Sequence, residues 1–239
     1  KSSLKIITVP FLIDSKIVFI GNLDDFSAAH SATSNYTRIN WAKTDTINCE
    51  LQWSTLTDSP ALKQYAIPEP DDIYTISYTS GSSGLAKGVV ITHANIGWQA
   101  LHFKHELQIK GNIAHRALSY LPLAHITERS TIWIASIYNE VEIYFNEGLD
   151  TFMRDLHKSR PTLFVSVPRL WVKFQAGVLS KMEDKDLQRK LKIPVFGKLL
   201  GYMIRRKLGL HHVIYAGCGS APVSPDTLLW YQRLGLDVS

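Results

Sequence analysis

The sequence predicts an α/β fold, and two patterns along the chain carry this prediction. Residues 116–182 alternate between short runs of β-branched and aromatic residues, which are typical of strands, and longer segments with apolar residues at helical spacing. Residues 213–216 form another apolar run, which passes directly into the small residues at 217–222. Strands that alternate with helices argue for the α/β class. Small residues at the end of a strand leave the room that a ligand crevice needs.

The remaining elements can be placed in chain order. Residues 16–20 predict a short strand, whereas residues 28–70 are polar and weakly periodic and indicate little. Thr92 is expected to cap a helix that ends near Leu107. The other predicted elements are strands at 73–78, 89–91, 116–120, 140–145, 162–167 and 213–216, and helices after His125, at 149–158, at 169–182, within 185–211 and from 224 or 225.

A loop rich in glycine and serine lies between the strands at 73–78 and 89–91. Its glycines at 81, 84 and 88 free the backbone to adopt positive φ, so that successive amides can turn towards one anion. Hydroxyl groups and one ammonium group add further donors, which predicts polyphosphate binding. The loop is not a Walker motif, because Leu85 and Ala86 separate the second glycine from the lysine. The predicted phosphate-binding residues are Thr79, Ser80, Gly81, Ser82, Ser83, Gly84 and Lys87.

Composition sets the broad class of protein. A chain of 239 residues with 45% hydrophobic content suits one large domain or two closely packed subdomains. No apolar stretch is long enough to cross a bilayer and the first residues lack a signal-peptide pattern, so we expect a cytosolic protein. Cys49 and Cys218 indicate neither a disulfide framework nor a metal site.

The net charge of +5 is concentrated in one segment. Residues 185–211 contain eight lysines or arginines and one acid. The apolar residues of this segment follow helical spacing, which predicts a helix with one buried face and one basic face, centred on 195–208. Such a helix is either an ordinary surface helix or a contact for anionic lipid or for an acidic protein. No interleaved aromatic and basic pattern indicates nucleic acid.

Three segments, in this order, resemble the adenylate-forming superfamily of AMP-forming ligases, most closely its long-chain fatty acyl-CoA synthetase branch. The similarity extends over roughly residues 71–238. Residues 160–171 also resemble the long-chain branch. The three segments are the phosphate loop at 78–89, the second core motif at 120–125 with Glu128 and Arg129, and the adenine-contacting segment at 217–225.

The resemblance implies both a fold and a reaction. It implies layered α/β/α subdomains of a large N-terminal AMP-binding domain, of which residues 1–239 would be a part. A carboxylate would attack the α-phosphate of ATP in the presence of Mg²⁺, giving an acyl-adenylate and pyrophosphate, and coenzyme A would then capture the acyl group. His125 and Lys87 would be catalytic. The residues implied to line the adenine are Gly219, Ser220, Ala221 and Pro222.

Two departures from the family pattern qualify these expectations. Ala86 stands where the family often has proline, and serines at 82 and 83 stand where it often has threonines. The chain ends before the expected Tyr-Gly-x-Thr-Glu motif, whose glutamate helps to hold Mg²⁺, so we predict no metal ligand. We also expect the small C-terminal domain to lie outside this chain, which would be an internal piece of a longer enzyme and inactive alone.

Some interpretations stay open at the level of sequence. Trp133 and Trp171 are either core residues, which we favour, or the border of an acyl tunnel. Glu128 and Arg129 either form a surface ion pair, which we favour, or face the active site. Two other functions are compatible with the motifs. One is an acyl-adenylate ligase that loads a carrier protein. The other is a non-catalytic nucleotide-binding or scaffolding domain.

Overall fold

The computed structural model describes residues 17–20, 37–40, 51–61, 63–80, 86–109, 113–123 and 125–239. Only the backbone is described at 17–20, 37–40, 79–80, 86, 106–109 and 135. The chain divides into two compact units, Lys1–Ile67 and Pro68–Ser239.

The first unit contains a small parallel sheet. Its strands are β1 (Ile17–Ile20), β2 (Thr37–Asn40) and β3 (Leu51–Gln52), in that spatial order. A short helix, α1 (Trp53–Thr57), follows β3 directly. The strand predicted at 16–20 is therefore confirmed, whereas β2, β3 and α1 lie in the segment for which the sequence indicated little.

The second unit begins with an antiparallel hairpin of β4 (Ile73–Ser80) and β5 (Ala86–Thr92). Both predicted strands are confirmed, but each extends further into the glycine- and serine-rich segment than expected. Gly88 lies within β5, opposite Tyr78, and its φ is not in the left-handed region. A Cβ atom at Gly88 would lie 2.8 Å from Ile76 Cγ2 and 3.2 Å from Tyr78 Cζ. The expectation of positive φ at Gly88 is therefore wrong, and this glycine instead makes room for the Tyr78 ring.

The helix after the hairpin, α2 (His93–Ile109), begins where the sequence predicted. The Asn95 amide donates to Thr92 Oγ1 at 3.3 Å, and the Thr92 amide donates to Asn95 Oδ1 at 3.1 Å. These reciprocal bonds satisfy two amides at the start of the helix, as a capping box does. Ile96 and Ala100, four positions apart and therefore on one face of the helix, are both buried.

A four-stranded parallel sheet forms the centre of the second unit. Its spatial order is β7-β6-β8-β9, and Val238 bridges to Ala216 so that the chain returns alongside β9. This arrangement confirms the α/β class. The four strands are β6 (Arg116–Ser119), β7 (Glu142–Phe145), β8 (Leu163–Ser166) and β9 (Tyr215–Cys218).

Helices connect these strands. A π-helical segment, Glu128–Ile134, occupies the start of the helix predicted after His125, and Ile137, which lies beyond that segment, is exposed. The last helix is capped by Ser224, whose Oγ accepts from the Thr227 amide at 3.2 Å. The α-helices are α3 (Ala135–Asn139), α4 (Phe152–Ser159), α5 (Pro168–Leu179), α6 (Asp184–Leu191), α7 (Phe196–Lys207) and α8 (Pro225–Arg233).

The basic segment at 185–211 forms two helices instead of the single helix predicted. Pro194 separates α6 from α7, and Val195 adopts φ 65°, which no α-helix accommodates. Of the apolar face predicted to be buried, Phe196, Leu199 and Met203 are about half exposed. Helical spacing was correct within α7, but the face it defines is only partly covered.

Aromatic side chains pack together in the larger hydrophobic core of the second unit. Trp171 and Tyr231 are fully buried, and the Tyr231 hydroxyl donates to the Trp171 carbonyl at 2.6 Å. The Trp171 indole packs edge-to-face against Phe164 and donates through Nε1 to the Gly217 carbonyl at 3.3 Å. The core interpretation of Trp171 is therefore confirmed. This contact fixes α5 against β9 near the end of that strand.

The surroundings of Gly88 and Gly177 predict opposite effects of substitution by alanine. We expect Gly88→Ala to lower the free energy of unfolding by about 1–3 kcal/mol, because the new Cβ atom meets Ile76 and Tyr78. Gly177→Ala in α5 meets nothing within 4 Å and should raise that free energy by about 1 kcal/mol through helix propensity. Denaturant unfolding measures both, and a loss of stability in Gly177→Ala would contradict this account.

Candidate active site

The candidate site lies at the edge of the sheet where the parallel strands end. Strands β6, β8 and β9 pair in the same direction, so their carboxyl ends meet at one edge. The predicted segments 120–125 and 219–222 leave this edge directly after β6 and β9. The Gly219 amide donates to the Ser166 carbonyl at 3.1 Å, which ties the second segment to the end of β8.

His125 and Ser220 meet at this edge although 95 positions separate them in the sequence. The distance between His125 Nε2 and Ser220 Oγ is 3.4 Å. His125 is reached through a turn in which its amide donates to the Pro122 carbonyl at 2.8 Å. The structure thus brings together one residue from each of two segments that the sequence assigned to a single nucleotide site.

The hydrogen bonds of His125 indicate which ring nitrogen carries the proton. The Thr127 amide donates to Nδ1 at 3.3 Å, so Nδ1 acts as the acceptor of the neutral imidazole. Nε2 then carries the hydrogen and directs it towards Ser220 Oγ. A ligand oxygen in the place of that hydroxyl would receive the same hydrogen bond, which suits a carboxylate or a phosphate.

Ser220 holds a backbone conformation that favours glycine. Its φ is 71°, and a residue with a side chain pays about 1–2 kcal/mol for the left-handed region. Such strain is concentrated at functional sites in proteins. Ala221 and Pro222 are exposed, and a Cβ atom at Gly219 would meet nothing within 4 Å. The segment predicted to contact adenine is therefore open to an approaching ligand.

Glu128 is a buried carboxylate beneath the segment that carries His125. Its side chain is 1% exposed, and Oε2 accepts from the Leu121 amide at 3.3 Å. Oε1 has no hydrogen-bond partner in the part of the chain that the structure describes. Burial raises the pKa of this carboxyl, and hydrogen bonds to its oxygens oppose the rise. Glu128 is thus an interior residue, and the expected surface location is wrong.

Arg129 binds the same segment from its other end. Its Nε and Nη2 donate to the Leu123 carbonyl at 3.1 and 2.8 Å, and its Nη1 donates to Thr75 Oγ1. Because Thr75 lies in β4, Arg129 connects the hairpin to the segment at 121–125. The expected ion pair with Glu128 is wrong. Together, Glu128 and Arg129 form a clamp on the segment at 120–125. The sequence analysis did not predict this clamp, although the adjacent Glu128 and Arg129 in the second motif were a signal that could have suggested it.

Tyr120 anchors the start of the same segment. Its hydroxyl donates to the Val165 carbonyl at 3.2 Å, which joins the end of β6 to β8. Burial is the main cause that raises the pKa of Tyr120 to about 12, so the hydroxyl stays protonated at neutral pH and remains a donor. Segment 120–125 is therefore held by Tyr120, Glu128 and Arg129 at three successive points.

The predicted phosphate loop is described only at its two ends. Thr79 and Ser80 end β4, while Gly81, Ser82, Ser83 and Gly84 lie outside the described residues. Lys87 lies in β5 directly opposite Thr79, and its side chain is exposed. No carboxylate lies within ion-pair distance of Lys87 in the described ranges. Its ammonium group is available to an external anion.

The described residues form no cluster of metal ligands, and Cys218 is the cysteine among them. Among the residues placed by the structure, no three His, Cys, Asp or Glu side chains form a group that could hold a metal ion. Cys218 is a half-buried thiol whose pKa is raised by burial, and Cys49 lies outside the described residues. No helix in the described part of the chain is both long and apolar enough to cross a membrane.

Comparison with known proteins identifies the family of this chain. Residues 12–238 match the family described as AMP-binding enzyme. The peroxisomal long chain acyl-CoA synthetase 7 of Arabidopsis thaliana is 34% identical over 188 residues, which cover 70% of this chain and 26% of that protein. The chain thus spans about a quarter of that relative's length.

Solved structures show the same fold at low sequence identity. The adenylation domain of a carboxylate reductase from Mycobacterium chelonae has a TM-score of 0.68 and 18% identity, covering 97% of this chain and 40% of that one. The corresponding domain from Segniliparus rugosus, solved with AMP and a carboxylic acid, has a TM-score of 0.67 and 17% identity, covering 98% of this chain and 42% of that one. These matches show that the chain has the fold of these adenylation domains. The chain belongs to the AMP-binding enzyme family, and its curated relatives are acyl-CoA synthetases.

The left-handed backbone conformation of Ser220 predicts that the substitution Ser220→Gly raises the free energy of unfolding. Ser220→Gly relieves the left-handed strain, and the greater freedom of the unfolded chain offsets part of the gain, which leaves a net increase of about 1 kcal/mol. Ser220→Ala is the matched control, because it removes the same hydroxyl but keeps the strain, and it should give no gain. Thermal unfolding of both variants measures the difference; equal stability would refute the strain.

The buried carboxylate predicts a dependence of stability on pH. Because the folded chain holds the Glu128 proton more tightly than the unfolded chain, this residue lowers stability progressively as the pH rises above about 4.5, its ordinary pKa. Glu128→Gln should therefore gain stability relative to the parent above that pH and not below it. Urea unfolding between pH 4 and 8 tests this. The exposed Glu69→Gln is the control, and a gain independent of pH would contradict the assignment.

Proposed function

We propose that the full-length protein activates a fatty acid with ATP to an acyl-adenylate and then forms a thioester with coenzyme A. The observation that carries the proposal is the approach of His125 to Ser220 at the carboxyl edge of the sheet, within a member of the AMP-binding enzyme family. The similarity to long chain acyl-CoA synthetases supports fatty acid as the acid and coenzyme A as the acceptor. In this proposal residues 1–239 form part of the large AMP-binding domain.

The predicted site residues would act in the first half-reaction, the formation of the acyl-adenylate. Residues 79–84 and Lys87 would hold the β- and γ-phosphates, where hydroxyl and ammonium donors stabilise the charge that develops on departing pyrophosphate. His125 would donate from Nε2 to an oxygen of the carboxylate or of the α-phosphate, and residues 219–222 would line the adenine. The clamp formed by Glu128 and Arg129 would keep His125 in place while charge develops.

Mg²⁺ is expected for this reaction, but the described residues offer no ligand set for it. Lys87 is a cationic group that would act on the phosphates, since its ammonium is exposed and has no ion-pair partner within the described ranges. The chemistry that this chain supplies is positioning and hydrogen bonding.

A cytosolic location and contact with a membrane surface through 195–208 stay predictions. Helix α7 exposes Phe196, Leu199 and Tyr202, and basic side chains follow at its end. This combination supports a helix that lies on an anionic surface, because apolar residues can enter the headgroup region while lysines and arginines attract the lipid charge.

The proposal predicts carboxylate-dependent exchange between ATP and pyrophosphate by the full-length protein. Lys87→Ala should lower the exchange rate roughly 10²-fold, as the loss of one donor to developing charge typically does. The exposed Lys104→Ala in α2 is the matched control and should leave the rate unchanged.

The outcomes separate the three candidate functions. Absence of exchange with every acid between eight and eighteen carbons, a range chosen from the family resemblance, would refute an acyl ligase and favour a non-catalytic nucleotide-binding domain. When exchange occurs, the thioester product identifies the acceptor: an acyl-CoA supports the proposal, whereas acylation of a holo carrier protein alone supports the carrier-loading ligase.

A further inference from the structure

Basic side chains gather at the amino edge of the parallel sheet, which is the edge opposite the candidate active site. Arg116 begins β6, while Arg160 and His212 lie three residues before β8 and β9, respectively. Because β6, β8 and β9 run in the same direction in one ladder, these three residues come together at that edge. With His211, they are called the basic cluster below. The function proposed above gives this edge no role.

Hydrogen bonds hold the segments that carry the basic cluster. Arg116 Nε donates to the carbonyls of Ser159 and Arg160 at 3.3 and 3.0 Å. The Thr162 amide donates to the Arg116 carbonyl at 2.9 Å, and the Thr162 carbonyl accepts from the Ile214 amide at 2.8 Å. The Arg116 guanidinium is therefore oriented by the fold, and within the described part of the chain its two Nη groups make no hydrogen bond.

Arg160 adopts a backbone conformation that favours glycine. It lies at the end of α4 with φ 44° and ψ 56°, where a residue with a side chain is disfavoured. Glycine would make this turn more easily, so the turn itself does not require an arginine. Strained positions of this kind are concentrated at functional sites. The Arg160 side chain is exposed and has no ion-pair partner among the residues that the structure describes.

Two histidine rings extend the positive charge of the arginines. The ring centroids of His211 and His212 lie 4.1 Å apart. Burial is the main cause that lowers the pKa of His212, and the charges of Arg116 and Arg160 lower it further. The pKa of His211 is lowered first by burial and then by the charges of His212, Arg206, Arg160 and His157. Cationic groups thus act on both rings, and no described acidic group offsets them.

Glu142 is the acidic residue that pairs with Arg116 in the ladder between β6 and β7. The two side chains form no ion pair in the described ranges. The Glu142 carboxylate instead accepts a hydrogen bond from the Tyr144 hydroxyl, which raises the pKa of that tyrosine. The positive charge of the basic cluster is therefore not neutralised by the neighbouring strand.

We propose that the basic cluster binds a phosphate monoester, with Arg116, Arg160 and His212 as hydrogen-bond donors. A guanidinium group presents parallel donors that match two phosphate oxygens, and two such groups with an imidazole suit a compact dianion. A carboxylate is a poorer fit, because its single negative charge offsets less of the positive charge gathered here. The proposal does not rest on the function of the ATP site, since the basic cluster lies at the other edge of the sheet.

Carbethoxylation of His212 in the full-length protein tests the proposal. Diethylpyrocarbonate modifies neutral imidazole rings, and peptide mass spectrometry gives the rate at each histidine. Phenyl phosphate should slow the reaction at His212 about tenfold at roughly ten times its dissociation constant, because the unbound fraction falls in that proportion. The exposed His105 of α2 is the reference and should react at an unchanged rate. Equal protection of both histidines would overturn the proposal, as would equal protection of His212 by sodium chloride at the same ionic strength.

A pair of glycine substitutions tests the role of Arg160. Arg160→Gly removes a donor and suits the fold, because glycine accepts the φ of 44°. It should raise the phenyl phosphate concentration for half-protection of His212 at least about tenfold, as the loss of a charge-assisted hydrogen bond does. Glu140→Gly is the matched control, since the exposed Glu140 has φ 55° at the end of α3 and carries no positive charge. It should not raise that concentration. Unchanged half-protection in Arg160→Gly would overturn the proposal.

A phosphate monoester can belong to a soluble molecule or to a lipid headgroup, and vesicles distinguish the two sources. Phosphatidic acid carries a monoester, whereas phosphatidylserine carries a diester. Protection of His212 by phenyl phosphate alone supports a soluble ligand, and protection by both phenyl phosphate and phosphatidic acid vesicles supports a site that also accepts the lipid headgroup. Protection by phosphatidylserine vesicles without protection by phenyl phosphate would indicate a general contact with anionic surfaces and would overturn the proposal.

Discussion

Parallel pairing of β6, β8 and β9 is the constraint on which the candidate site depends. Because the three strands run in one direction, segments that are remote in sequence leave the sheet at the same edge, and His125 reaches Ser220 across 95 positions. The pairing is in turn held by the core, where Trp171 donates to the Gly217 carbonyl and accepts from Tyr231. A change that moved β9 along β8 would displace residues 219–222 from His125, even though no residue of the site had been altered.

Three polar side chains position the segment at 120–125 in addition to backbone pairing. Tyr120, Glu128 and Arg129 each bind it at a different point, and Arg129 also reaches the hairpin through Thr75. Burying a carboxylate whose Oε1 lacks a described partner costs stability, yet the same low-dielectric surroundings strengthen the bond to the Leu121 amide. The burial of Glu128 therefore lowers the stability of the fold, while its bond to the Leu121 amide helps to fix the position of His125.

The sequence was informative wherever the deciding interactions are local. The strands on either side of the predicted phosphate loop and the capping of α2 by Thr92 depend on neighbouring residues, and the predictions of the two strands and of the cap are confirmed. The break at Pro194 was missed because apolar spacing continues on both sides of the proline and hid it. Glu128 was misplaced because adjacent opposite charges say nothing about burial, which depends on segments far along the chain. Likewise, the role of Gly88 depends on the cross-strand position of Tyr78.

Helix α5 lines an apolar cavity of about 490 Å³ through Leu170 and Phe174, and it contacts β9 through Trp171. Phe174 lines the cavity and stacks on Phe164 at a centroid distance of 6.5 Å, while Trp171, one turn earlier, reaches the end of β9. These contacts form a continuous packed path, but packing alone does not couple two sites, because coupling requires an element with two arrangements. Close-packed interiors resist small displacements. Since Trp171 is bonded at both its indole and its carbonyl, a shift of α5 against the sheet would have to break two buried hydrogen bonds before it displaced residues 219–222.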